Sequence, residues 1–260
     1  MTSPDESRVG DFELTSWRTR TGRRLADLAH RLAALIGSHA LLSATLLVSG
    51  LLLAALTSAS AELYDEVVDE QGVALLDRPV LDLAVRARTP LLEDVVTGFS
   101  NLGGPVGMPL LATGAALAMA LAWRRWTPVV LMLAATVGSV AMTVAGKAVV
   151  GRARPPVFEA VPPYESSPSF PSGHALNAVV VAGVVAYLLV RRQTRARARA
   201  RTISAAAVFA VLMGLSRVYL GHHWLTDVLA AWTLGLAWTV AVVTAHRLFL
   251  TVHRSRVSDR

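Results

Sequence analysis

The chain is written in blocks of about twenty consecutive apolar residues, and blocks of that length leave few ways to fold. Twenty residues of helix reach about 30 Å, the depth of a bilayer's hydrocarbon core. The stretch 127–150, TPVVLMLAATVGSVAMTVAGKAVV, is rich in Ala, Val and Leu and lacks the strict alternation of a barrel strand. Only helices and closed barrels satisfy every backbone polar group in lipid. The expected fold is therefore all-α and polytopic, with spans near 39–60, 105–123, 127–150, 174–190, 202–220 and 224–246. Composition agrees, since 17% of the 260 residues are charged against about a quarter in soluble domains.

A net charge of +7 raises the question of nucleic acid, and the placement of the charge answers it. Arginines gather beside the apolar blocks, above all in Arg191-Arg192-Gln193-Thr194-Arg195-Ala196-Arg197-Ala198-Arg199-Ala200-Arg201, with no aromatic residues interleaved for base stacking. Such runs anchor a membrane protein at an anionic leaflet. The partners expected are a lipid bilayer and a lipid substrate, not nucleic acid. With no cysteine, neither a disulfide nor a thiolate metal site is possible. The first apolar block starts near residue 39, too far from Met1 for a cleaved signal peptide, so a retained span is expected.

Orientation follows from the same arginines. In a six-span layout the arm 1–38, the Arg124-Arg125 turn, the Arg191–Arg201 run and the tail 247–260 share one face. The positive-inside rule makes that face, with both termini, cytoplasmic. Residues 61–104, with three arginines and nine acids, fall outside and read as amphipathic short helices on the outer surface. The membrane domain is expected to be 39–246. Lys147, Arg152, Arg154 and Arg217 break the rule by lying on the outer face, so something other than topology holds them there.

These exceptions fall in three polar clusters, each at an end of an apolar block: Lys147-x6-Arg154-Pro155, Pro171-Ser172-Gly173-His174 and Ser216-Arg217-x5-His223-x3-Asp227. In the first, an ammonium and a guanidinium suit phosphate, and the prolines hold Arg154 extended. Its plainer reading is a basic patch against lipid headgroups. In the second, free N–H groups at a helix start and the small Gly173 suit an oxyanion, with Ser172 as a hydroxyl donor and His174 as a proton donor. An ordinary serine-capped helix start explains Ser172 and Gly173 but not the histidine. In the third, His223 and Asp227 stand four apart; a carboxylate on Nδ1 leaves Nε2 as a nucleophile. Half of a metal site at His222-His223 is the alternative, with no second carboxylate cluster to complete it. His222 lies off the face shared with Asp227 and reads as a loop residue.

Together the three clusters resemble the signatures of the type 2 phosphatidic acid phosphatase (PAP2) superfamily, which includes acid phosphatases, glucose-6-phosphatase and vanadium haloperoxidases. The likeness runs from about 95 to 245, and the six-span layout resembles the bacterial membrane lipid-phosphatase branch. The resemblance implies that His223 attacks phosphorus to form a phosphohistidine, that Asp227 orients it, and that His174 protonates the leaving oxygen. It implies that Lys147, Arg154, Ser172, Gly173 and Arg217 hold the phosphoryl oxygens and that no metal or cofactor is needed. The role of Arg152 stays open. The expected activity is hydrolysis of a lipid phosphate or pyrophosphate (polyprenyl pyrophosphate, phosphatidate or phosphatidylglycerol phosphate) at the outer face of a bacterial plasma membrane. A lipid-linked phosphotransferase and a non-enzymatic transporter or assembly protein are the rivals.

Overall fold

The computed structural model describes residues 8–9, 12–17, 19–36 and 73–258. The expected first span at 39–60 lies outside the described residues. Eight α-helices are described: α1 (Arg20–Ile36), α2 (Asp77–Arg86), α3 (Pro90–Asn101), α4 (Gly107–Trp123), α5 (Thr127–Val150), α6 (Gly173–Val190), α7 (Ala196–Tyr219) and α8 (Leu225–Ser258). The described strands are a two-residue antiparallel pair, Arg8–Val9 with Phe12–Glu13. The chain is an all-helical, multi-pass membrane protein. Thr127–Val150, Gly173–Val190, Ala196–Tyr219 and Leu225–Val252 are long and apolar enough to span, and α4 is a shorter apolar helix.

Helix α6 is the hub. Leu176, Val180, Val184 and Leu188 recur every four residues, so one stripe of the helix is sealed inside the bundle and nearly inaccessible. The outward residues are just as apolar: Val137 and Val144 of α5, Val208 of α7 and Val240 of α8 are exposed. A soluble bundle would place charge there; a lipid-facing one has no reason to. Between helices, the Trp238 indole N–H of α8 donates to the Ala135 carbonyl of α5 at 2.9 Å, so the large ring is buried with its donor satisfied.

Helix ends follow local chemistry. Thr89 accepts from the Leu92 N–H, with Pro90 in the first turn of α3. Helix α5 stops at Gly151, and Pro155-Pro156 keeps the following chain extended. Helix α7 begins at Ala196 rather than 202, because its alternating Arg and Ala residues are good helix formers. Helix α8 runs on through what reads in sequence as a basic tail, and this extension packs on α1 and the residues before it: Leu248 and Val252 cluster with Ala29, Trp17 donates to Thr251 Oγ1 at 3.2 Å, and the Arg247 guanidinium stacks 4.5 Å over the Trp17 ring.

The order of helices sends the C-terminal ends of α5 and α7 and the N-terminal ends of α6 and α8 to the same end of the bundle. The arginine-rich turns gather at the other, where Arg192 after α6 lies 4.6 Å over Trp123 at the end of α4. All three polar clusters thus belong to one end.

Candidate active site

The turn from α7 to α8 is five residues long and contains the central imidazole. Gly221 makes the reversal with φ of 72°, and a Cβ there would meet the Glu159 carbonyl oxygen at 2.5 Å. Left-handed backbone and close approach together require glycine. His223 follows, almost fully buried, with its Nδ1 3.3 Å from Asp227 Oδ2 in the first turn of α8. On the ring's other side Arg154 Nη1 lies 3.2 Å from Nε2. The carboxylate calls for hydrogen on Nδ1 and the guanidinium for a lone pair on Nε2, so both neighbours select the tautomer with a nucleophilic Nε2. Burial, with help from Arg154 and Arg217, pushes the His223 pKa down to about 4, against the pull of Asp227. The imidazole is neutral at physiological pH.

Asp227 is completely buried and fully engaged. Oδ1 accepts from Arg152 Nη1 at 2.6 Å; Oδ2 accepts from Ser169 Oγ at 2.7 Å and from the Trp224 N–H at 2.9 Å. The last bond ties off an otherwise unpaired N–H at the start of α8.

A cationic cradle faces His223. Arg154 donates to the Ser167 and His222 carbonyls, each at 2.6 Å, which fixes its guanidinium plane. Lys147 donates to Ser167 Oγ at 3.2 Å and to the Pro168 carbonyl. Arg217 donates to Ser100 Oγ at 2.7 Å. The anion between the guanidiniums is the chain's own: Glu165 pairs with Arg154 Nη2 at 2.7 Å and with Arg217 Nη2. Burial alone would raise the Glu165 pKa, but Arg217 and Arg154 outweigh it and hold the carboxyl at about 2.

The second cluster closes the site. Ser172 stands at the N-cap of α6, yet its hydroxyl does not cap the helix; it is buried with no hydrogen-bond partner among the described residues. The serine-capped helix start is therefore not what forms. Gly173 opens α6, and the first N–H groups of a helix have no partner within it. His174 packs beside Gly103 and Gly104, which follow α3; a Cβ on Gly104 would lie 3.5 Å from its Nε2. It is near enough to Arg217 and Glu165 to feel their charges.

All eight residues singled out in the sequence meet at this end of the bundle. His222 goes elsewhere: its Nε2–H donates to the Val161 carbonyl at 2.7 Å, and burial depresses its pKa to about 4. The two neighbouring histidines therefore face different partners. Sequence reading missed Glu165, Ser169, Ser100 and Asp77. An acid between the first two clusters, eleven residues after Arg154, was a usable signal for Glu165; the other three carry none.

Comparison with known proteins agrees with this architecture. The PAP2 superfamily matches residues 126–250. Phosphatidylglycerophosphatase B of Bacillus subtilis (strain 168) is 35% identical over 170 residues, 65% of this chain and 82% of that protein. The crystal structure of the first transmembrane PAP2 type phosphatidylglycerolphosphate phosphatase from Bacillus subtilis superposes with a TM-score of 0.63 at 32% identity, covering 75% of this chain and 92% of that one. Aquifex aeolicus LpxE shares the fold, with a TM-score of 0.53 at 21% identity over 68% of this chain and 98% of its own.

Proposed function

The chain belongs to the PAP2 superfamily, and from that premise we propose that it hydrolyses the phosphate of a membrane lipid through a phosphohistidine on His223. The observation that carries this reading is the imidazole held between Asp227 and Arg154, at 3.3 Å and 3.2 Å, in the tautomer a nucleophile needs. The substrate's phosphoryl group displaces the Glu165 carboxylate from Arg154 and Arg217. The phosphoryl oxygen takes over the Arg154 N–H that had pointed at Nε2, freeing the lone pair for in-line attack while the Ser167 and His222 carbonyls keep the guanidinium plane in place. Lys147, Arg217, the Ser172 hydroxyl and the Gly173 N–H spread the negative charge of the transition state. The P–O bond breaks as His174 gives its proton to the leaving oxygen. The same residue takes a proton from the water that cleaves the phosphohistidine.

The substrate class is a lipid phosphate whose tail stays in the bilayer. A glycerolipid monophosphate is favoured because the Bacillus relative is a phosphatidylglycerophosphatase. The arginine asymmetry supports an extracytoplasmic site in a bacterial plasma membrane, with both termini cytoplasmic. The membrane domain of 39–246 then sits between a basic arm and a basic extension. The test is phosphate release by purified full-length protein on phosphatidylglycerol phosphate, phosphatidate and polyprenyl pyrophosphate, each with and without EDTA. Release that survives chelator and vanishes in His223→Ala is expected. Activity lost to EDTA would refute the metal-free route. Transfer to an added lipid acceptor in preference to water would replace hydrolase with phosphotransferase.

A further inference from the structure

We propose that Asp77, acting through Arg152, is a positioning residue for the His223–Asp227 pair. The inference rests on the proposed phosphohistidine reading and adds to it a part of the chain that lies outside the matched residues 126–250.

Arg152 stands two residues before Arg154 but takes no share in the cradle. Its Nη1 donates to Asp227 Oδ1 at 2.6 Å and Thr226 Oγ1 at 2.8 Å, and its Nη2 donates to Asp77 Oδ2 at 2.7 Å. Asp77, at the start of α2, also accepts from the Thr226 N–H at 2.8 Å and from the Thr226 hydroxyl at 2.6 Å. The Thr226 hydroxyl thus accepts from the arginine and donates to the aspartate, closing a ring of three side chains. Asp77 and Thr226 are 5% and 7% exposed, so these bonds compete little with water. Trp224 roofs the ring: its indole lies 5.6 Å from the guanidinium and donates to the Ala153 carbonyl at 2.9 Å.

One end of this ring touches the catalytic carboxylate. With Oδ1 pinned by Arg152, the plane of Asp227 is set and Oδ2 is aimed at His223 Nδ1. In-line attack tolerates little error in the direction of Nε2, so fixing the carboxylate fixes the trajectory. The ring also settles a charge conflict. Arg152 alone would draw on the negative charge that His223 needs as it becomes cationic. Asp77 offsets that pull from the far side. A purely structural reading, in which Asp77 only ties α2 to the start of α8, predicts lost stability and no specific kinetic signature.

The experiment uses full-length protein in detergent and compares Asp77→Asn, Arg152→Gln and the double variant for kcat, KM, thermal stability and trapped phosphohistidine. The expected losses in kcat are about tenfold for Asp77→Asn and about a hundredfold for Arg152→Gln, the range for supporting partners of a site. KM should stay within about twofold, because neither residue touches the phosphate. Arg152→Gln leaves two buried carboxylates facing each other without a cation, so removing one should help. The double variant should therefore recover about tenfold over Arg152→Gln. Full kcat in folded Asp77→Asn, or a double variant that loses the product of both factors, overturns the proposal. Should Asp77→Asn fail to fold, Thr226→Val breaks the same ring. An approximately threefold fall in its kcat at constant KM supports the relay, and an unchanged kcat sinks it. Wild-type protein inert on every lipid phosphate, or active His223→Ala, would instead refute the phosphohistidine reading itself.

Discussion

Asp227→Asn is the sharpest test of the proposed chemistry, because its neighbours dictate how the amide must sit. Arg152 presents a donor to the Oδ1 position at 2.6 Å, so the asparagine oxygen turns there and its NH2 takes the Oδ2 position. That position already receives the Trp224 N–H at 2.9 Å, so two donors are opposed. The NH2 also faces His223 Nδ1 at 3.3 Å, which must then accept, driving the imidazole hydrogen to Nε2. There it meets the Arg154 donor at 3.2 Å, and the lone pair that attacks phosphorus is gone. Wrong-tautomer substitutions of this kind cost about 10³- to 10⁴-fold in kcat, or about 4–5.5 kcal/mol of transition-state stabilisation. KM should change little, since the cradle is untouched. Rapid-quench measurement of acid-labile, base-stable phosphoenzyme should show the burst lost together with phosphate release. A folded Asp227→Asn protein with less than tenfold loss, or an intact burst, would show that Asp227 does not set the tautomer.

Three further outcomes follow from the same geometry. Glu165→Gln removes the internal rival for Arg154 and Arg217, so inorganic phosphate should inhibit about tenfold more tightly, a change of about 1.4 kcal/mol; weaker inhibition would mean that Glu165 organises the arginines instead of competing. With its pKa at about 2, Glu165 stays ionised between pH 5 and 8, so the ratio of inhibition between Glu165→Gln and the parent should hold across that range even as phosphate itself ionises. His222→Ala loses the bond to Val161 and about 1 kcal/mol of stability while keeping activity within about threefold, whereas His223→Ala should release no phosphate; the reverse order would overturn the assignment of the nucleophile. The His223 pKa is lowered to about 4 from about 6.5 in the unfolded chain, so the unfolded state binds the extra proton in between; stability from this group is complete above pH 6.5 and is lost as pH falls toward 4. The enzyme's own acid limb in kcat/KM should accordingly lie near pH 4, below the phosphomonoester ionisation at about 6, and a limb set by His223 at its ordinary value would contradict the burial argument.

What could be read in advance divides by range. Spans of α5 to α8 were legible because membrane length and apolar run are local properties, and the three clusters because each sits within a few residues of a helix end. Asp77 was not, since nothing at position 77 announces a contact with Arg152 or Thr226; it reads only as one acid among several on an amphipathic stretch. Arg152 and Arg154 are two residues apart and chemically alike, yet one turns toward Asp77 and Asp227 and the other toward Glu165 and His223. That divergence is set by what the rest of the chain brings to each side. Ser172 shows the opposite case: local rules favour a cap, and the buried hydroxyl is left available instead.

Charge balance explains why a carboxylate should rest in a phosphate cradle at all. Within the site itself, four cations, Lys147, Arg152, Arg154 and Arg217, face the carboxylates of Asp77, Asp227 and Glu165. Unpaired charge near hydrocarbon is costly, and without Glu165 the two guanidiniums of Arg154 and Arg217 would be opposed by no anion of their own. Glu165 reduces the excess to one positive charge while leaving the site able to open, because its side chain is 30% exposed. A phosphoryl dianion that takes its place would balance this group of charges, the four cations matched by Asp77, Asp227 and the substrate. A phosphodiester, with a single negative charge and two non-bridging oxygens in place of three, would leave that balance incomplete. The proposed function therefore predicts that a terminal phosphate binds in preference to the diester headgroups that crowd the surrounding bilayer.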